Sequence, residues 1–373
     1  MGIEPFSLPF CQAAVDDLQA RLLRTRWLDE IPGSAWEYGF GQAFLRDLCE
    51  FWRTQFDWQA QLRKLSDLPH FWYPSKDGGV HFIHVRGKGP APMPLIFTHG
   101  WPGSFLEFLP ILPLLTDAFD VVIPSLPGFG FSTKPARPGM NAFRIADLWA
   151  ALMRELGYER FAAQGGDLGA GVSTALGLRH PDRIIGIHLN FLPGSFQPYV
   201  APGEELRPEE KSFLEGVVRW ADESGAYSHL QRTRPQTAAY GLNDSPAALA
   251  AWIVEKFREW SDCEGDVYRR FSREELLTNV TLYWMTETIY SSFRLYFENR
   301  KAPLRFGAKD FVAVPCAFAR FPKEISAPPR CWVERGFNIR RWTEMPGGGH
   351  FAAAEEPQLL AEDLRAFFRD LRA

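Results

Sequence analysis

Residues 161–179, FAAQGGDLGAGVSTALGLR, join a short apolar run to a helical stretch through Gly165-Gly166-Asp167-Leu168-Gly169. A turn with glycine on both sides of one polar residue lifts that side chain off the end of a strand as the chain enters a helix. Strands that feed helices in this way lie in a parallel sheet covered on both faces. Reactive groups in such sheets collect beyond the carboxyl ends of the strands. The turn therefore constrains the architecture and also locates the chemistry.

The rest of the chain supplies more of the same alternation. Strands are expected over 80–85, after the turn residues Asp77-Gly78-Gly79, and over 95–98, 120–124, 161–164, 184–190, 311–318 and 338–345. Helices are expected over 105–115, 143–156 (stopped by Gly157), 169–179 and 355–371. From Leu192 to about Arg300 helical patterns at 209–223, 246–260 and 273–298 interrupt the alternation, which reads as a helical insertion. Residues 1–70 carry helical spacing at Val15, Leu18, Leu22 and Leu23, followed by Trp27, Trp36, Trp52 and Trp58, which reads as a helical arm lying on another surface. The division expected is an arm over 1–90, a first core part over 91–192, the insertion over 193–302 and a second core part over 303–373.

The 373 residues are 46% hydrophobic and 14% aromatic, enough for a large core and apolar pocket walls. Charge is nearly balanced, at −4, and no basic block favours nucleic acid. No run of about 18 apolar residues marks a membrane span, and MGIEPFSLPF lacks the form of a signal peptide. Cys11, Cys49, Cys263, Cys316 and Cys331 are odd in number and scattered, as expected of reduced thiols in the cytoplasm, with neither a disulfide frame nor a metal site.

A serine attacking a saturated carbon would give an ether, which water does not readily cleave. A carboxylate gives an ester, which water cuts at its carbonyl carbon. Asp167 thus points to displacement at carbon, either opening of an epoxide or expulsion of a halide, with a solvated loop aspartate as the bland reading. Such a nucleophile needs a base to activate the hydrolytic water, and the base needs an orienting acid. His350, late in the chain behind Gly347-Gly348-Gly349, suits the base. His81, His84 and His188 fall in expected strands, His180 ends a helix, and His70 and His229 fall outside the expected sheet. The acid should follow the preceding strand. Glu324 is the candidate, with Glu334 its rival in a helix leading away. The ester's oxyanion needs backbone donors, expected from Leu168 and from Trp101 in the HGWPGS loop, where His99 and Gly100 adjoin the substrate. A departing epoxide oxygen needs a proton, and a tyrosine supplies one without prior charge. Tyr227, Tyr240, Tyr268, Tyr283, Tyr290 and Tyr296 all lie in the insertion, and spacing does not choose among them.

With THGWPGSF, SLPGFGFS, QGGDLGA and GGGHFAAAEEP standing in that order, the chain resembles the microsomal-type epoxide hydrolases in their soluble bacterial and fungal form. The likeness extends over residues 5–105, including PFSLPF and VHFIHVRG, and over TRPQTAAYGLNDSPAALAAWIVEKFREW and LLTNVTLYWMTETIYSSFRLYFENR in the insertion. It implies an α/β-hydrolase fold: a mainly parallel sheet flanked by helices, with a helical cap and an N-terminal helical arm. It also implies Asp167 as nucleophile, His350 as base, Glu324 as its acid, and Tyr296 and Tyr227 as donors to the epoxide oxygen. Substrates would be small lipophilic epoxides and water, with no cofactor and no membrane anchor, and a homodimer is an expectation of the resemblance. One departure is Leu168, where the family usually places tryptophan, which would widen the pocket wall. The alternatives are a haloalkane dehalogenase, which needs no tyrosine pair, a serine esterase, for which no serine stands in a G-x-S-x-G turn, and a non-catalytic binding protein on the same fold.

Overall fold

The computed structural model describes residues 2–372. Nine strands form one sheet: β1 (Glu4–Pro5), β2 (His70–Ser75), β3 (Gly78–Val85), β4 (Met93–Thr98), β5 (Phe119–Pro124), β6 (Phe161–Gly165), β7 (Ile184–Leu189), β8 (Val312–Arg320) and β9 (Phe337–Glu344). Their order is β1-β2-β3-β5-β4-β6-β7-β8-β9. The strands from β5 to β9 run parallel, and β1, β2 and β3 add an antiparallel edge. The central strands read as continuous apolar runs because helices cover both of their faces; β5 and β6 are buried along their whole length. Each fully buried side chain such as Leu95, Phe97, Val121 or Phe161 contributes about 1.5–3 kcal/mol of transfer free energy. The result is the α/β-hydrolase architecture.

Several elements differ from the sequence expectation. The first 70 residues contain helices Gln12–Leu23, Gln42–Thr54 and Trp58–Ser66, and the segment that follows them pairs into the sheet as β2. His70 is therefore a strand residue, paired with Ile83, and not outside the sheet. Pro69 and Pro74 mask this strand in the sequence, because proline cannot donate to a ladder. The turn of the β2–β3 hairpin falls on Lys76 and Asp77, with Gly78 and Gly79 already in β3. The helix expected over 105–115 is a 3-10 turn, Phe105–Phe108, and a short helix, Leu112–Leu115, separated where Pro110 and Pro113 withdraw amide donors. The single helix expected over 273–298 is two, Arg273–Thr286 and Ile289–Lys301, broken by Glu287 at φ 50°.

Six helices cross between β7 and β8: Pro208–Glu223, Ala226–Thr233, Pro235–Asp244, Pro246–Trp260, Arg273–Thr286 and Ile289–Lys301. The second and third were not expected individually. Local chemistry sets the starts of others: Ser245 accepts from the Ala248 amide, and Ser272 and Glu275 form a reciprocal capping box. No helix among the described residues is long and apolar enough to cross a membrane.

Candidate active site

Asp167 opens the helix Asp167–Arg179 directly beyond β6. Its φ is +46°, a left-handed backbone that costs a non-glycine residue of order 1–3 kcal/mol. This strain aims the carboxylate away from the helix, toward the loop after β4. Gly100 in that loop has no side chain because a Cβ there would lie 2.2 Å from the Asp167 Cβ. The close approach lets the Trp101 amide donate to Asp167 Oδ1 at 2.8 Å. The Leu168 amide also favours the ionised carboxylate. Burial acts most strongly on Asp167 and raises its pKa, opposed by the His350 cation and by these two amides.

His350 stands beyond β9 and Glu324 beyond β8, as chain order predicts. The two loops run side by side through a bridge between Lys323 and Gly349, and the Lys323 amide donates to Gly348 O at 3.1 Å. His350 Nδ1 lies 2.7 Å from Glu324 Oε1, which also accepts from the Ile325 amide at 2.7 Å. A proton on Nδ1 serves that contact and leaves Nε2 facing Asp167 Oδ2 at 3.7 Å. Burial would lower the His350 pKa. The Glu324 charge and hydrogen bond, with the charges of Asp167 and Glu107, outweigh it and raise the value to about 9. The imidazolium therefore persists at neutral pH. Glu334 ends the helix Arg330–Glu334 and pairs with Arg330 at 2.7 Å.

Of the six tyrosines in the insertion, two bring their rings to Trp101 beside Asp167. Tyr227 stacks on Trp101 with centroids 5.3 Å apart, and Tyr296 meets it edge-on at 6.0 Å. Their own rings are 6.3 Å apart. Burial, and then for Tyr296 the Tyr227 and Asp167 charges and for Tyr227 the Asp167 charge, push both hydroxyls well above the usual tyrosine value, so both stay protonated. The Tyr296 hydroxyl is buried and makes no hydrogen bond among the described residues. Tyr240 is exposed, and Tyr290 bonds outward to Gln236. Trp260 closes the wall, 5.1 Å from both Tyr227 and His350.

His99 is buried and neutral. Burial lowers its pKa to about 4, Nε2 accepts from the Leu126 amide, and Nδ1 faces Gly100 O at 3.0 Å, so both ring nitrogens are spent on backbone. Leu168 is half-buried against the main core. Among the described residues no group of three or more His, Cys, Asp or Glu side chains is placed to hold a metal ion.

Sequence reasoning missed the groups that fasten these loops. Asn279 accepts from Ser104 Oγ and donates to Pro102 O, each at 2.8 Å, and Tyr283 donates to Gly103 O at 2.8 Å. On the other side, the His350 amide donates to Trp260 O at 2.9 Å, and the Gly348 amide to Asp262 Oδ2 at 3.0 Å. Glu355 accepts the amides of Asp262, Gly349 and Phe351. Only Glu355 left a trace in the sequence, as a carboxylate five residues after His350. A buried carboxylate, two amides facing it, a paired imidazole and two protonated phenols are a set of groups able to open a strained ring and hydrolyse the resulting ester.

Residues 3–108 match the family model described as epoxide hydrolase N terminus, and residues 93–239 match the model of the alpha/beta hydrolase fold. The "Putative epoxide hydrolase" of Stigmatella aurantiaca is 44% identical over 383 residues, covering 100% of this chain and 86% of that protein. "Epoxide hydrolase 1" of Oryctolagus cuniculus is 37% identical, over 98% of this chain and 88% of its own. The crystal structure of juvenile hormone epoxide hydrolase from the silkworm Bombyx mori superposes with a TM-score of 0.89 at 30% identity, covering 100% of this chain and 95% of that one.

Proposed function

The chain belongs to the epoxide hydrolase family, and from that premise we propose that it converts lipophilic epoxides to vicinal diols through an ester formed on Asp167. The observation that carries this reading is the two-sided setting of one carboxylate, with an amide 2.8 Å from Oδ1 and an imidazole nitrogen 3.7 Å from Oδ2.

In the first step an Asp167 oxygen bonds to a ring carbon and the ring C–O bond breaks. The released alkoxide takes a proton from Tyr296 or Tyr227, and the phenol regains one that originates on the His350 imidazolium. Alkylation removes the Asp167 charge that helped hold that proton, so His350 becomes neutral when a base is needed. Neutral His350 then takes a proton from water as the water oxygen bonds to the ester carbonyl carbon. The resulting oxyanion lies at the Trp101 and Leu168 amides. Collapse expels the second diol oxygen, which leaves with the proton of the added hydroxyl, and restores carboxylate and imidazolium. Glu324 keeps the Nδ1 proton in place throughout. A departing halide would need no phenol, so the Tyr227–Tyr296 pair favours the epoxide.

The test is a single turnover of excess enzyme in heavy-oxygen water with a styrene-type epoxide. The first diol should carry an unlabelled oxygen drawn from Asp167. A first-turnover diol whose new oxygen comes wholly from solvent would refute the ester.

A further inference from the structure

One carboxyl group at the site takes no part in the mechanism above. Glu107 lies in the 3-10 turn Phe105–Phe108, whose start Ser104 caps through its hydroxyl. Its side chain lines a cavity of about 10 Å³ together with Gly100, Trp101, Asp167 and His350. That volume accommodates the centre of about one water molecule. The walls offer what a bound water needs, namely several polar partners. Gly103 contributes by having no side chain, because a Cβ there would lie 2.7 Å from Glu107 Oε2. A larger residue would push the carboxyl out of this position.

Glu355 provides the contrast. It too is a buried carboxyl near His350, but three backbone amides occupy its oxygens, so it pins a loop. Glu107 instead presents its carboxyl to the cavity that Asp167 and His350 share.

On the covalent-ester reading, we propose that Glu107 is a catalytic residue that holds the hydrolytic water, accepting one of its hydrogens while His350 takes the other. The water O–H directed at His350 Nε2 breaks as its oxygen bonds to the ester carbonyl carbon. Glu107 exchanges no proton and acts as a fixed acceptor. Burial raises its pKa to about 8; the His350 cation opposes this, and Asp167, Glu324 and Glu355 reinforce it. A neutral carboxyl beside the nucleophile accepts the water's hydrogen without adding a second negative charge next to the forming oxyanion. Besides His350, Tyr283 also senses Glu107, but its hydroxyl is occupied with Gly103 O.

The experiment follows ester formation and ester loss separately, by rapid quench and intact-protein mass, using styrene oxide with the parent enzyme, Glu107→Leu and Glu107→Gln. Formation should stay within about threefold in all three, ester loss should slow by about tenfold or more in Glu107→Leu, and Glu107→Gln should stay within about threefold of the parent. Ester loss at the parent rate in Glu107→Leu overturns the proposal. So does equal slowing of both steps, which marks a structural role, and so does a glutamine variant as slow as the leucine one. Should the leucine variant not fold, the pH profile decides. Ester loss in the parent should decline above about pH 8 as Glu107 ionises, and Glu107→Gln should lack that decline. Identical profiles overturn the proposal. A parent enzyme that forms no ester at all fails the covalent reading itself, an outcome distinct from normal ester loss in the Glu107 variants.

Discussion

Asp167, His350 and Glu324 are held by directed hydrogen bonds, each to a named backbone or side-chain atom, whereas Tyr227, Tyr296 and Trp260 above them are held by ring packing. The polar side comes from three separate strand ends, and its geometry has to be exact to a few tenths of an ångström for proton transfer. The aromatic side comes from the insertion, and packing tolerates a change of shape better than a hydrogen bond tolerates a change of angle. Trp101 belongs to both: its amide faces Asp167 while its indole carries Tyr227. The difference separates the work. On the proposed mechanism the strand ends carry the bond-making groups, and the insertion supplies the aromatic wall beside them.

The comparison breaks most readily on the polar side. Asp167→Ala should lower diol formation by about 10⁴-fold or more and abolish the mass adduct; retention of activity within tenfold would remove the nucleophile. His350→Gln should form the ester and lose it about 10²–10⁴-fold more slowly, seen as a stable adduct on the peptide containing Asp167. Turnover at the parent rate would cancel its assignment as base. On the aromatic side, Tyr296→Phe should slow ring opening by about 10²-fold and leave ester hydrolysis nearly unchanged, a split that stopped-flow kinetics resolves. Equal slowing of both steps would make Tyr296 a wall residue.

The resting imidazolium sharpens the same comparison. On the proposed mechanism ring opening draws on the His350 proton, and that proton is lost as pH rises through about 9. kcat/KM should therefore fall above about pH 9, while the phenols, raised well above their ordinary value, add no loss there. A flat profile from pH 7 to about 10.5 would contradict it. The smallest effect is expected at Tyr283→Phe, which removes the bond to Gly103 O and should lower unfolding free energy by about 1 kcal/mol in a denaturant titration.

The polar side was largely legible in the sequence because glycine marks it. Gly165, Gly166 and Gly169 flag the turn that carries Asp167, Gly347 to Gly349 flag His350, and chain order then points to Glu324. The aromatic side was not legible from spacing, which left six tyrosines level; only family resemblance chose Tyr227 and Tyr296. The anchoring roles of Asn279 and Tyr283, and the placement of Glu107, were invisible for a physical reason. Asn279 meets Ser104 across 175 residues of sequence, and no local pattern encodes such a meeting. Glu107 was read as part of a helix that Pro110 and Pro113 forbid, so its direction could not be inferred. The strand β2 was hidden by Pro74 within it and Pro69 just before it.

The insertion grips both reactive loops, through Asn279 and Tyr283 on the Trp101 side and through Trp260 and Asp262 on the His350 side. Hinging it away as one piece would tear out the scaffolding of the oxyanion donors and of the base together. Exchanging this region with that of a relative should therefore preserve stability better when Trp260, Asp262, Asn279 and Tyr283 are kept, a difference that a denaturant titration reads.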